Sequence, residues 1–234
     1  MTNSYNKIKK VIDGSGTLER AKASKWFFKT GPGEYGEGDE FIGITVPVMR
    51  KIAKEFKDLP LSDLKKLLNS KIHEYKFTSL VILVSQYRKG DDKKKKQIAN
   101  FYIANKKWVN NWDLVDSSAL YILGDYLLSK DKDILYKLAK SKNLWDRRIA
   151  VLSTFRFIEE NKFSDSFKIA EILLNDDHDL IHKAVGWMLR EIGKRSIKVE
   201  IKFLEKHYKK MPRTMLRYSI EKFPEKKRQY FLKK

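Results

Sequence analysis

The sequence predicts an all-α chain, an α-solenoid of stacked helix pairs, and three observations predict it. Apolar residues recur at spacings of three and four, the helical period, while alternating strand-like runs are scarce. Only 11 glycines and 5 prolines punctuate 234 residues, so connections are short and neighbouring helices should run antiparallel. The third observation is a repeat. Asp113, Asp146 and Asp179 each open an apolar helix and lie 33 residues apart (146 − 113 and 179 − 146). A fixed period holding two helices is the signature of a solenoid of the HEAT or armadillo kind, whose usual period is about 40 residues. The chain therefore reads as a single curved domain over residues 1–234.

The elements follow in order. A helix is predicted over 17–28, then a glycine-rich loop over 30–43. The next helix starts near Thr45, with Pro47 suited to its first turn, and runs to 57. A short helix follows Leu61 with Ser62 as its cap. Others are predicted over 73–88, from Asp91 to 105, and over 113–129, 132–140, 146–160, 165–174, 179–193, 197–209 and 213–222. An aspartate at a helix start can accept free backbone N–H groups and suits the positive end of the dipole, so Asp113, Asp146 and Asp179 read as caps.

Lys and Arg total 50 against 30 acids, a net charge of +20. Such a surplus on a short chain suggests a polyanionic partner, nucleic acid before membrane, on a basic concave face, with a charge selected for solubility as the alternative. A hydrophobic share of 42% is enough for a folded core. Without cysteine, disulfides, thiolate nucleophiles and Cys-ligated metals are excluded. No stretch has the length of a signal peptide core or a membrane span, so a cytosolic protein is expected.

Three stretches carry candidate chemistry. Lys183, Trp187 and Arg190 form one helical stripe of cation, indole, cation. It suits a phosphate and a sugar or base better than a core, although an indole flanked by snorkelling cations is the alternative. Arg147 and Arg148 follow Asp146 and read as salt-bridge partners of that acid or its neighbours, or else the one on the inner face clamps a phosphate. The third stretch is Trp112, Asp113, Leu114, Val115 and Asp116. Trp112 and Asp116, four apart, share a helix face. The repeat does not ask for an acid at 116, because its equivalents are Ile149 and His182. A carboxylate in a basic groove weakens DNA binding, which suggests a use, with a buried hydrogen-bonded aspartate as the alternative. It can stabilise the oxocarbenium-like sugar formed when a purine N-glycosidic bond breaks and orient the attacking water. Indole faces such as Trp112 and Trp187 would favour a cationic alkylated purine.

Two motifs mislead. Gly31, Gly33 and Gly36 match the letter of GxGxxG, but follow a helix and carry acids that repel pyrophosphate. His178 and His182 have zinc-ligand spacing without a third ligand in view.

The 112–116 stretch, Trp145 to Arg148 and the run from Lys183 to Glu191 together resemble the AlkD-type alkylpurine DNA glycosylases. The run from Trp26 to Asp39 is similar to bacterial DNA alkylation repair proteins, and the resemblance covers almost the whole chain. It implies a HEAT-like solenoid whose concave face wraps DNA. It also implies that Asp116 is the catalytic carboxylate, with Trp112 and Trp187 packing on the lesion's deoxyribose. Arg148 and Arg190 would sit on the DNA-facing surface, and Trp26 would line the cleft, with Phe27 as the other choice. The implied substrate is double-stranded DNA with N3- or N7-alkylated purines, which need not be flipped into a pocket. No cofactor and no metal are expected, and the chain is expected to act as a monomer. A non-catalytic repeat protein that binds damaged, branched or distorted DNA is the alternative, and a scaffold for an acidic protein is a third reading.

Overall fold

The structure, a computed structural model, describes residues 4–233. Among them the fold is all-α, and strand-like pairing is confined to an isolated bridge between Glu40 and Ile72. The chain divides into two compact units, Met1–Ser118 and Ala119–Lys234.

The first unit is built around α5 (His73–Lys89). This helix is apolar on nearly every side because it is buried on nearly every side: Tyr75, Phe77, Leu80, Ile82, Leu83 and Tyr87 all lie in the core. Packed on it are α3 (Val46–Glu55), α4 (Leu61–Leu68), α6 (Asp92–Ala104) and α7 (Trp112–Asp116). Pro47 lies in the first turn of α3, as the sequence predicts, and the Asp91 side chain accepts the Lys94 N–H at 2.8 Å to cap α6. The polar N-terminus gives no warning of α1 (Ser4–Asp13). Its buried edge is two residues one turn apart, Ile8 and Ile12, which pack with α3 and α4. Then α2 (Leu18–Phe27) starts on Thr17, whose Oγ1 accepts the Arg20 N–H. The loop that follows returns to this cap at Gly43, which has φ of 90°. A Cβ there would lie 2.2 Å from the Thr17 carbonyl oxygen, so only glycine fits.

The second unit centres on α10 (Leu144–Glu159) and α12 (Asp179–Arg195), which pack on each other. Around them lie α8 (Asp125–Leu127), α9 (Asp133–Ala139), α11 (Ser164–Ile172), α13 (Ile197–His207) and α14 (Arg213–Ser219). A short α15 (Glu225–Leu232), absent from the sequence reading, adds Phe231 to the core. α12 and α14 meet at Gly186, where a Cβ would lie 2.5 Å from the Met215 carbonyl oxygen.

Three sequence expectations are corrected. The helix expected over 113–129 is broken: α7 stops at Asp116, and a π-helix, Leu120–Gly124, precedes α8. Ser118 Oγ donates to the Leu114 carbonyl at 2.5 Å and Ser117 Oγ to the same carbonyl at 3.3 Å, hydroxyls that compete for the helical acceptor. The π-turn carries Gly124 against the Ser153 carbonyl of α10, 2.4 Å from where a Cβ would be. The repeated aspartates are also not the caps. Asn111, Asn143 and His178 hold the cap positions, and their side chains accept the first free N–H groups. The aspartates lie within the first turn, where the dipole still favours them. Ser62 likewise lies inside α4, which is preceded by Pro60.

Candidate functional site

Trp112 opens α7 and is partly exposed. Its ring lies over Phe28, nearly parallel, with centroids 5.4 Å apart, and meets Phe27 edge-on at 5.9 Å. Phe28 in turn stacks on Phe41 at 5.1 Å and lies 4.8 Å from the imidazole of His73. The indole is thus the outer member of an aromatic stack supplied by the end of α2 and the loop behind it. Asp116 closes α7, half-buried, four residues from Trp112 and on the same face. A helix dipole does not favour an acid at that end.

A buried charge network lies beneath Trp112. Asp113 Oδ2 pairs with His73 Nε2 at 2.8 Å, and His73 Nδ1 reaches Asp39 Oδ2 at 3.2 Å. Lys76 Nζ donates to Asp39 Oδ1 at 2.5 Å and to Asn110 Oδ1 at 2.8 Å, and Asn110 Nδ2 donates to Asp39 Oδ1. Two cations therefore meet two carboxylates with little exposure to solvent, and the loop 31–39 is pinned by its last acid to α5 and to Asn110 just before α7. The other loop acids serve the loop: Glu34 accepts the Gly31 N–H at 2.7 Å and Glu37 the Gly33 N–H at 2.9 Å. At the loop's end, the buried Glu74 carboxylate accepts the N–H groups of Ile42, Gly43 and Ile44. None of this resembles a dinucleotide site, since no strand precedes the glycines among the described residues.

Burial opposes a charge on His73, but Asp113 and Asp39 overcome it and hold the imidazolium to about 9. Burial also works against ionised Asp39, and there His73, Lys76 and Asn110 win and keep the carboxyl below its usual range. In the second unit, burial pushes Glu200 up to about 8, with Arg190 opposing weakly. Both raised groups carry the same sign. The folded His73 holds its proton beyond the ordinary value near 6.5, so its contribution is complete below that pH and is lost as pH rises through about 9. Glu200 removes stability between its ordinary value of 4.5 and about 8. The melting temperature is therefore expected to fall from pH 6 to pH 9.5 in thermal scans. Glu200→Gln should raise it at pH 8 and leave it nearly unchanged at pH 4.5. A flat profile would contradict both assignments.

Next to the aromatic stack lies a cavity of about 650 Å³, lined by rings from Trp26, Phe27, Phe28, Phe41, Phe77 and Trp112, with Arg20 and Arg50 as its exposed cations. Trp26 is 77% exposed and Phe27 55%. Both residues weighed for the cleft thus line the same cavity, and Phe27 is the one in ring contact with Trp112.

The second unit holds the other expected residues. Lys183, Trp187 and Arg190 lie on the partly exposed face of α12, while Ala184, Val185, Met188 and Leu189 face the core. Trp187 Nε1 donates to Glu191 Oε1 at 3.1 Å, and its ring lies 6.0 Å from Phe155. Lys183 pairs with Asp179 at 2.6 Å, and Arg190 pairs with Glu221. Arg148, expected on the DNA-facing surface, is instead buried, because its Nη1 donates to the Leu180 carbonyl at 2.7 Å and ties α10 to the first turn of α12. Arg147 pairs with Asp176 through Nε at 2.6 Å. The histidines at zinc spacing are engaged: His178 Nδ1 accepts the Leu180 N–H, and His182 Nε2 meets the Asp176 carbonyl.

His73, Asp39, Lys76 and Phe28 are functional candidates that sequence reasoning missed. The available signal was an acid and a lysine, Glu74 and Lys76, flanking the aromatic residues that open a long helix with an apolar middle.

A family model described as DNA alkylation repair enzyme matches residues 8–223. The fold is similar to the solved structure of a "Predicted DNA alkylation repair enzyme from Enterococcus faecalis", with a TM-score of 0.70 and 16% identity over 90% of this chain and 98% of that one. At that identity the likeness concerns the fold alone. The curated proteins contain no match.

Proposed function

We propose, for a chain that belongs to the DNA alkylation repair enzyme family, that its reaction is hydrolysis of the N-glycosidic bond of N3- or N7-alkylated purines in double-stranded DNA. The observation that carries this reading is the pairing on one face of α7 of a partly exposed indole with a half-buried carboxylate, Trp112 and Asp116. The bond between C1′ and the purine nitrogen breaks, and its electron pair neutralises the cationic base, which leaves without needing a general acid. Asp116 stabilises the oxocarbenium-like sugar and orients a water, whose oxygen bonds to C1′ and whose proton is lost, giving an abasic site. Trp112 offers its face to the cationic nucleotide, with its ring orientation fixed by Phe28. Trp187 is assigned the same kind of contact with the lesion's deoxyribose, and Lys183 and Arg190 contacts with phosphates. Arg148 acts through α12, whose first turn it holds. Trp26 contributes to DNA binding at the rim of the cavity.

The alternative, a protein that binds distorted DNA without chemistry, shares the net charge of +20 and parts from this reading at Asp116. The test is an oligonucleotide duplex with one N7-methylguanine. Incubation with the protein, then alkali, should cleave the strand at that position. Binding of the same duplex with no alkali-labile site would leave the non-catalytic reading.

A further inference from the structure

The aromatic cavity of the first unit continues past Arg50. The same arginine lines a groove of about 330 Å³ with Lys54, Lys57 and Lys89. Lys57 and Lys89 then line a further groove of about 350 Å³ with Lys94. Arg50 and Lys54 lie one turn apart on α3, and Lys57 follows just past its end. Lys54, Lys57 and Lys89 are exposed and form no ion pair among the described residues. A ring-lined hollow therefore opens onto a line of unneutralised cations.

We propose that the cavity binds one unstacked base of a DNA strand, with the phosphates beside it held along Arg50, Lys54, Lys57 and Lys89. The proposal rests on the reading of the chain as a DNA-binding protein and not on base excision. Each half of the surface matches one half of a nucleotide. Every base has a face that stacks on aromatic side chains, and the flanking backbone needs cations at intervals along a groove. An apolar peptide would satisfy the rings and leave the lysines without purpose. The exposed Trp26 and Phe27 at the cavity fit the same reading, since large apolar groups clustered in water mark a covered surface. Arg50 already lies over the Phe77 ring, 5.8 Å from its centroid, where cavity and groove join. Its guanidinium can reach a phosphate without leaving the ring. The site would take a base that is already unpaired, at a bulge, a single-stranded end or a position opened by damage.

The test uses a single-stranded oligonucleotide with one 2-aminopurine and no alkylated base, titrated with the full-length protein. Expected are quenching of the 2-aminopurine and an affinity that falls steeply with salt. Ala23→Trp places a ring at an exposed α2 position that lines the cavity. It should abolish the quenching and weaken binding about tenfold. Lys54→Glu with Lys57→Glu should lower affinity and flatten the salt dependence. Binding without quenching, or full quenching in Ala23→Trp, overturns this proposal alone. Failure to bind any DNA overturns it together with the functional reading. A dimer that forms with concentration and is lost in Ala23→Trp, without a change in 2-aminopurine, would give the cavity to a second copy of the chain and overturn it too.

Discussion

The Asp116→Asn protein is expected to lose base release by about 10²–10³-fold, the range seen when a group aimed at developing charge is removed. The change keeps shape and deletes one negative charge. A neutral amide cannot stabilise a cationic sugar as a carboxylate does, so the loss should lie in the chemical step. Affinity for DNA should stay equal or become tighter, because a repelling charge has gone from a surface that binds phosphates. Single-turnover release and equilibrium binding, measured on the same duplex, separate the two effects. Full activity would remove Asp116 from the reaction, and lost binding would make it structural. Asp113→Asn is the useful contrast. Asp113 is bonded to His73 and to the Leu114 N–H, so its loss should be felt first in stability.

Replacing His73 with alanine is expected to cost about 3–5 kcal/mol, because it leaves Asp39 and Asp113 as buried carboxylates short of a partner. For a chain of this length that is a fall of roughly 10 °C in Tm. The effect is large because the network is dry: His73 and Asp39 are each 2% exposed in their side chains. By contrast the exposed pair of Lys9 and Asp13 should matter little. The same network holds the loop 31–39, α5 and the first turn of α7 together, so the Trp112 ring should lose its fixed position. A Tm within a degree or two of wild type would show that the network is not the clamp described above.

Much of the helical pattern was legible because it rests on local rules. Pro47, Asp91 and the three-and-four spacing of α12 marked their helices directly. The break after Asp116 was not legible, since Ser117 and Ser118 are tolerated in many helices and end this one only through the Leu114 carbonyl. The aspartates at intervals of 33 (146 − 113 and 179 − 146) were misread as caps for a related reason. Asn and Asp serve equally well at that position, and the chain uses Asn111 and Asn143. The stripe of Lys183, Trp187 and Arg190 could be read because it lies on one helix. The junction of Asp39, His73 and Asp113 could not, because its members are 34 and 40 residues apart and meet only in the fold.

The central claim is that this protein breaks a glycosidic bond, and the direct measurement is chromatography of the small molecules released from methylated duplex DNA. The account predicts free N3-methyladenine or N7-methylguanine accumulating with time in the presence of wild-type protein, and close to background with Asp116→Asn. Release of no base by wild-type protein that demonstrably binds the duplex would contradict it.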